Sequence, residues 1–139
     1  MSLNKFVAAA CGFALAVFSA AAMAHHSAAQ FDFGQRVTVE GTVKEFNVTN
    51  PHAWAVITIT DEKRGTRDAQ YEGHSASHFM RAGYTRDMVK VGDKIAILIA
   101  PRRDGEDGGF IQAFTVNGKT VGFGGLSPET GQRTSDAAK

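Results

Sequence analysis

From Val37 the chain alternates apolar and polar residues. Val37, Val39, Gly41 and Val43 share one face, and Thr38, Glu40, Thr42 and Lys44 share the other, the period of a half-buried strand. The pattern predicts a long first strand from about Arg36 to Thr49, a corner at Asn50-Pro51-His52 and a second strand from Ala53 to Thr60. Proline at the corner supplies no ladder donor and turns its predecessor away from helix. In the second strand Trp54 and Val56 alternate with Ala55, Ile57 and Ile59, so both faces are apolar and cover on two sides is expected. Gly41 removes a side chain where a long strand can bend sharply enough to serve two sheets or a small barrel.

Downstream, the charged segment Asp61–Thr66 reads as a solvated hairpin tip, with Gly65 as its positive-φ residue. A third strand is predicted from Arg67 to Gly73, then a short helix from Ser75 to Ala82. Ser75 or Ser77 is its N-cap, Phe79 and Met80 face inward, and Gly83 ends it. Lys94–Ala100 and Phe110–Val116 read as fourth and fifth strands around a Gly- and charge-rich loop. Asn117-Gly118 is a turn, and Val121 and Phe123 belong to a short sixth strand. The fold class is therefore all-β with one short helix. Three strands, a helix and two strands is the order of a five-stranded Greek-key OB-like barrel. A small β-sandwich is the alternative, although it needs about seven strands and no helix.

The chain's ends change the picture. Lys5, the apolar run Phe6–Ala22 and Ala22-Met23-Ala24 together read as a secretory signal peptide over residues 1–24, cut after Ala24. Residues 25–35 then form a polar lead anchored by Phe31 or Phe33, residues 36–123 the barrel domain, and residues 124–139 a disordered tail too polar to bury itself. No apolar run after cleavage is long enough to span a membrane. The address expected is periplasmic or secreted. Cys11, the single cysteine, leaves with the signal peptide, which removes disulfides, thiolate metal sites and cysteine nucleophiles. The 15 Lys and Arg less Lys5 leave 14, against 14 Asp and Glu. A neutral mature chain lacks the basic face that nucleic-acid binding requires.

His25-His26-Ser27, Asn50-Pro51-His52-Ala53-Trp54, Arg81-Ala82-Gly83-Tyr84-Thr85 and Val91-Gly92-Asp93 together resemble a bacterial family of small exported proteins, the domain of unknown function 6152. The similarity runs from about Ala24 to Phe123. It implies a periplasmic or secreted OB-like domain and brings no established activity or catalytic residue. His74 and Tyr84 stand where glycine or serine and tryptophan are more usual in that family.

Two function classes fit these residues. The first is an exported, non-enzymatic OB-fold binding module for a small ligand or an envelope protein, with Asn50, His52, Trp54 and Tyr71 as ligand-binding candidates. The second is a periplasmic copper-binding protein. A new N-terminal His25 offers an α-amine and Nδ1 in one chelate ring, His26 adds an imidazole, and His52 completes the set if the lead folds back. Nitrogen donors of this kind favour Cu(II). His74 and His78, four apart, share a helical face only if the helix begins early enough. Gly73-His74-Ser75-Ala76-Ser77 falls short of a nucleophile elbow and reads as a helix cap. Asp104, Glu106 and Asp107 lack a calcium-loop pattern and read as a solvated turn. Phe110 and Phe114 are expected in the core.

Overall fold

The computed structural model describes residues 28–130 and the backbone of Gln132–Arg133. The chain divides into two compact units, Met1–Gln30 and Phe31–Lys139. The signal-peptide segment, His25 and His26 lie outside the described residues.

Strand β1 (Val37–Asn47) is followed by β2 (Trp54–Asp61) and β3 (Gly65–Glu72), helix α1 (Ala76–Arg81), β4 (Lys94–Pro101), β5 (Gly109–Val116) and β6 (Lys119–Gly122). The fold is a mostly antiparallel sheet with one short helix between its third and fourth strands, as the hydrophobic pattern predicts. Its hydrogen bonding is ring-like. The first half of β1 pairs with β4 and the second half with β2, so one strand serves two neighbours. β2 pairs with β3, β3 runs parallel to β5 through Tyr71 and Glu72, and β5 returns to β4. Thr42, where the two halves of β1 meet, is in register with both Thr58 and Lys94.

Gly41 sits at this junction because nothing larger fits. A β-carbon there would lie 2.5 Å from Ile57 Cγ2 and 2.6 Å from the Thr58 carbonyl oxygen. The alternation of β1 also breaks just beyond it. A register shift between Val43 and Glu45 inserts one residue, and such a bulge exchanges the faces of the strand. Val39 and Val43 point inward before it, and Phe46 packs against the core after it.

The core is filled by Ala55, Ile57 and Ile59 of β2, Ala69 and Tyr71 of β3, Ile95, Ile97 and Ile99 of β4, and Ile111, Phe114 and Val116 of β5. Helix α1 closes it with Phe79, whose ring lies 5.1–6.3 Å from those of Phe46, Tyr84, Phe114 and Phe123. Each such side chain contributes on the order of 1.5–3 kcal/mol by leaving water. The opposite face of β2 is only half covered at Trp54 and Val56, less than its composition predicts.

The helix differs from expectation in two details. Met80 is 43% exposed, because consecutive residues of a helix lie about 100° apart and Phe79 already takes the inward direction. Ser75 occupies the N-cap position without accepting a helix backbone N–H through its side chain. Instead the Ala76 N–H donates to Asn50 Oδ1 at 3.2 Å and to the Thr49 carbonyl at 3.1 Å. Gly83 (φ 95°) follows the helix, and Tyr84 N–H donates to the Phe79 carbonyl at 3.0 Å, which closes its last turn. Asn117 and Gly118 take the positive φ values expected of their turn.

A second layer covers the outer face of β4 and β5, where Leu98, Ala100 and Ala113 are fully buried. Phe31 packs with Ala100 and Phe110, and Asp32 N–H donates to the Pro101 carbonyl at 2.8 Å. Beyond β6 the described residues Gly124–Thr130 form part of the fold where composition predicts a disordered tail. Pro128 is buried in a 3-10 turn, Pro128–Thr130, that contacts β4 and β5. The buried Thr38 hydroxyl donates to the Pro128 carbonyl. A two-residue strand β7 (Gln132–Arg133) continues the segment in parallel with β1. Simple alternation puts Thr38 on the solvent side, and this returning segment covers it.

Candidate functional site

The Trp54 end of the β2–β3 hairpin carries the candidate site. Cα partners Trp54 and Glu72 on β2 and β3, then Glu72 and Phe110 on β3 and β5, set three residues in one row. Their chain neighbours Ala55, Tyr71 and Ile111 are buried in the core, so the row faces away from it. A shallow depression of about 300 Å³ opens here, lined by His52, Ala53, Trp54, Gln70 and Glu72. Phe110, the β5 partner of Glu72, is covered by Phe31 and Phe33, whose ring centres lie 5.7 and 5.4 Å from its own.

Glu72 Oε2 is sealed from solvent and has no hydrogen-bond partner among the described residues. A carboxylate oxygen in that position is costly to leave unmatched. Gln112 Oε1, on β5, is the other such atom. Gln112 is the extra residue of a bulge between Ile111 and Ala113.

Just beyond β3 lie three imidazoles. Backbone hydrogen bonds from Ala53 N–H to the His74 carbonyl (2.9 Å) and from Gly73 N–H to the Ala53 carbonyl (2.7 Å) extend the hairpin ladder past its last strand residues. This brings His52 and His74 onto adjacent segments. The half-buried His74 ring stands perpendicular to Phe110 at 4.9 Å and lies 4.3 Å from Phe123. It stacks on His78 with ring centres 5.2 Å apart. Burial, then the charges of His78 and His52, hold the His74 pKa below the usual histidine value. His78 Nδ1 is 3.1 Å from Ser75 Oγ.

At the opposite end of the same hairpin the charges neutralise one another. Arg67 bridges Asp61 at 2.6 Å and Asp107 at 3.0 Å, and Arg64 reaches Asp107 at 2.7 Å. The Arg67 guanidinium holds the Asp107 carboxyl below its ordinary range, and hydrogen bonds from the Arg64 N–H and Arg67 do the same for Asp61. Asp104 is drawn down to about 2 by Arg102. The two loops read from sequence as separate solvated turns are thus tied together across the strand ends.

Of the sequence-derived candidates, His52 and Trp54 meet at the depression. Asn50 does not join them, since its side-chain oxygen is spent on the helix N–H of Ala76. Tyr71 is 1% exposed and belongs to the core, where burial raises its hydroxyl pKa. The sheet turns odd-numbered β3 residues inward, so the row that faces the depression is Gln70 and Glu72. Their exposure was readable from the alternation of β3. Their position beside Trp54 depends on register with β2 and was not. Among the described residues no three His, Cys, Asp or Glu side chains converge tightly enough to hold a metal ion, and none of their helices is long and apolar enough to cross a membrane.

No curated protein and no solved structure matches the chain. A family model described as a family of unknown function, DUF6152, matches residues 13–112, a span that runs from before β1 into β5 and includes the whole His52–Trp54–Glu72–His74 region. The chain belongs to that family.

Proposed function

We propose that the protein is an exported, non-enzymatic binding module whose ring of strands is an OB-like barrel, and that its ligand-binding site is the His52–Trp54–Gln70–Glu72 depression. The observation that carries this reading is the Glu72 carboxylate, which lines the depression beside a half-buried indole and has one oxygen without a hydrogen-bond partner among the described residues. A buried acceptor without a donor is matched when a ligand brings one. An aromatic face next to a carboxylate selects a cation, through attraction to the ring and a charge-assisted hydrogen bond. The ligand class is therefore an organic amine or guanidinium, free or on the side chain of an envelope protein. His52 and Gln70 at the rim add a donor–acceptor pair for the rest of the molecule.

Trp54 is the single tryptophan, so its emission reports on this site alone. Titration with spermidine and with arginine methyl ester is expected to give a saturable change in emission that Glu72→Gln weakens by roughly tenfold, about 1.4 kcal/mol. A neutral sugar at equal concentration is expected to give none. No saturable response to either cation, or a response equal in the Glu72→Gln variant, overturns the assignment. Copper held by His25, His26 and His52 is the alternative reading, and it is supported by the sequence of the expected mature N-terminus.

A further inference from the structure

We propose that the ligand is a linear diamine or polyamine laid across the outer face of β1, β2 and β3, with one ammonium on Glu72, its methylene chain over Trp54 and Val56, and a second ammonium on Glu45. This rests on the reading of Trp54 and Glu72 as a cation site, and narrows it from any amine or guanidinium to a chain with a positive charge at each end. Strand register makes the juxtaposition. Trp54 is the Cα partner of Glu72 on β3, and Val56, two residues on, is the partner of Gln70 on β3 and of Glu45 on β1. Partners in register project to the same side of a sheet, as do residues two apart on one strand. Glu45 reaches this face through the bulge between Val43 and Glu45. Without the inserted residue it would share the inward side with Val39 and Val43.

The charges and the apolar strip suit such a chain. Trp54 and Val56 are half-buried and lie side by side along β2, where cover by methylenes removes apolar area from water. Strands about 4.8 Å apart and a two-residue step of about 6.8 Å put the Glu45 and Glu72 α-carbons roughly 12 Å apart across this strip. A span of that order suits the terminal ammonium groups of putrescine or spermidine, each meeting one carboxylate in a charge-assisted hydrogen bond. Glu45 is exposed and takes no hydrogen bond or ion pair among the described residues. The adjacent Lys44 is held by Asp68, whose other oxygen accepts from Thr58 Oγ1 at 2.7 Å. The next row of the face is thus closed, and the two carboxylates left over flank Trp54 and Val56. A zwitterionic amino acid would set its own carboxylate against Glu45, a like-charge contact that disfavours it.

Putrescine and n-butylamine share one carbon chain and differ in the second ammonium, so the pair isolates the contribution of Glu45. With Trp54 emission as the readout and ionic strength held fixed, putrescine is expected to bind roughly fivefold tighter, beyond the factor of about two that its equivalent ends supply by statistics. Glu45→Gln, an exposed change, is expected to bring that ratio back to about two, with n-butylamine affinity and the circular dichroism spectrum as in the parent. Glu72→Gln is expected to weaken both amines. A parent ratio of about two or less, or a higher ratio that Glu45→Gln leaves intact, overturns the bridging ligand while the Glu72 site stands. No saturable response to either amine overturns that site as well.

Discussion

The two ends of the β2–β3 hairpin solve opposite problems. At the turn, Arg64, Arg67, Asp61 and Asp107 satisfy one another within 2.6–3.0 Å, and each charge finds its partner inside the fold. At the other end Glu72 Oε2 has no partner among the described residues, Trp54 is half exposed, and the half-buried His74 ring stacks on His78. Charged side chains are plentiful at the first end and nothing is left for a ligand to supply. The second has fewer, and they are unmatched. Chemistry available to partners follows uncommitted polar atoms and not charge density.

The largest expected effect comes from removing the floor of the uncommitted end. Phe79 underlies Gly73, where a β-carbon would come within 3.0 Å of its ring, and packs on Phe123 beneath His74. Phe79→Ala is expected to cost about 3–5 kcal/mol in urea unfolding and to release the His74 ring, read as a return of its NMR-titrated pKa toward the ordinary value. A loss under about 1 kcal/mol means that the helix does not close the core.

The committed end is expected to break more gently. Asp107→Asn removes the shared partner of two arginines, and because the cluster stays in contact with solvent the loss is expected to be on the order of 1 kcal/mol. It carries a pH signature. The folded state lowers the carboxyl pKa of Asp107 and Asp61 below 3.8, so their contribution is complete above that value and disappears as pH falls through the folded pKa. His74 behaves in the same direction in a higher window. Its folded pKa lies below 6.5, so stability is intact above that pH and declines as the ring is charged on acidification. Unfolding free energy measured with chelator from pH 8 to 2 is therefore expected to fall in two stages, with Asp107→Asn diminishing the lower stage alone. A single stage shared by both ends contradicts the separation.

The smallest expected effect sharpens the contrast most. Glu72→Gln is expected to leave stability within about 0.5 kcal/mol of the parent, or to raise it slightly, since no protein partner is lost. A loss comparable to that of Asp107→Asn in the same urea titration reveals a hidden partner for Glu72 and places this end with the other.

Much of the architecture was legible along the chain, because strand periodicity, turn chemistry and a short helix are encoded in neighbouring residues. The alternation of Val37–Val43, the missing side chain at Gly41, the Asn117-Gly118 turn and Phe79 as the inward helical residue follow from local rules. The site was legible only in part. Trp54 and His52 were visible beside their proline corner, whereas Tyr71 looked equally available until the facing of β3 placed it inside and put Glu72 on the outer face.

What the sequence determined by itself is the set of elements, their order and the residues able to carry chemistry, since these depend on interactions a few positions apart. What only the tertiary structure decided is which polar atoms are spent. Asn50 is consumed by a helix twenty-six residues away in sequence, Asp107 by arginines about forty away, and Thr38 by Pro128, ninety away. Strand register and the β1 bulge set those meetings. Glu72 is left over for the same reason, because the closure of the ring pairs it with Trp54 and Phe110 and gives it no donor among the described residues.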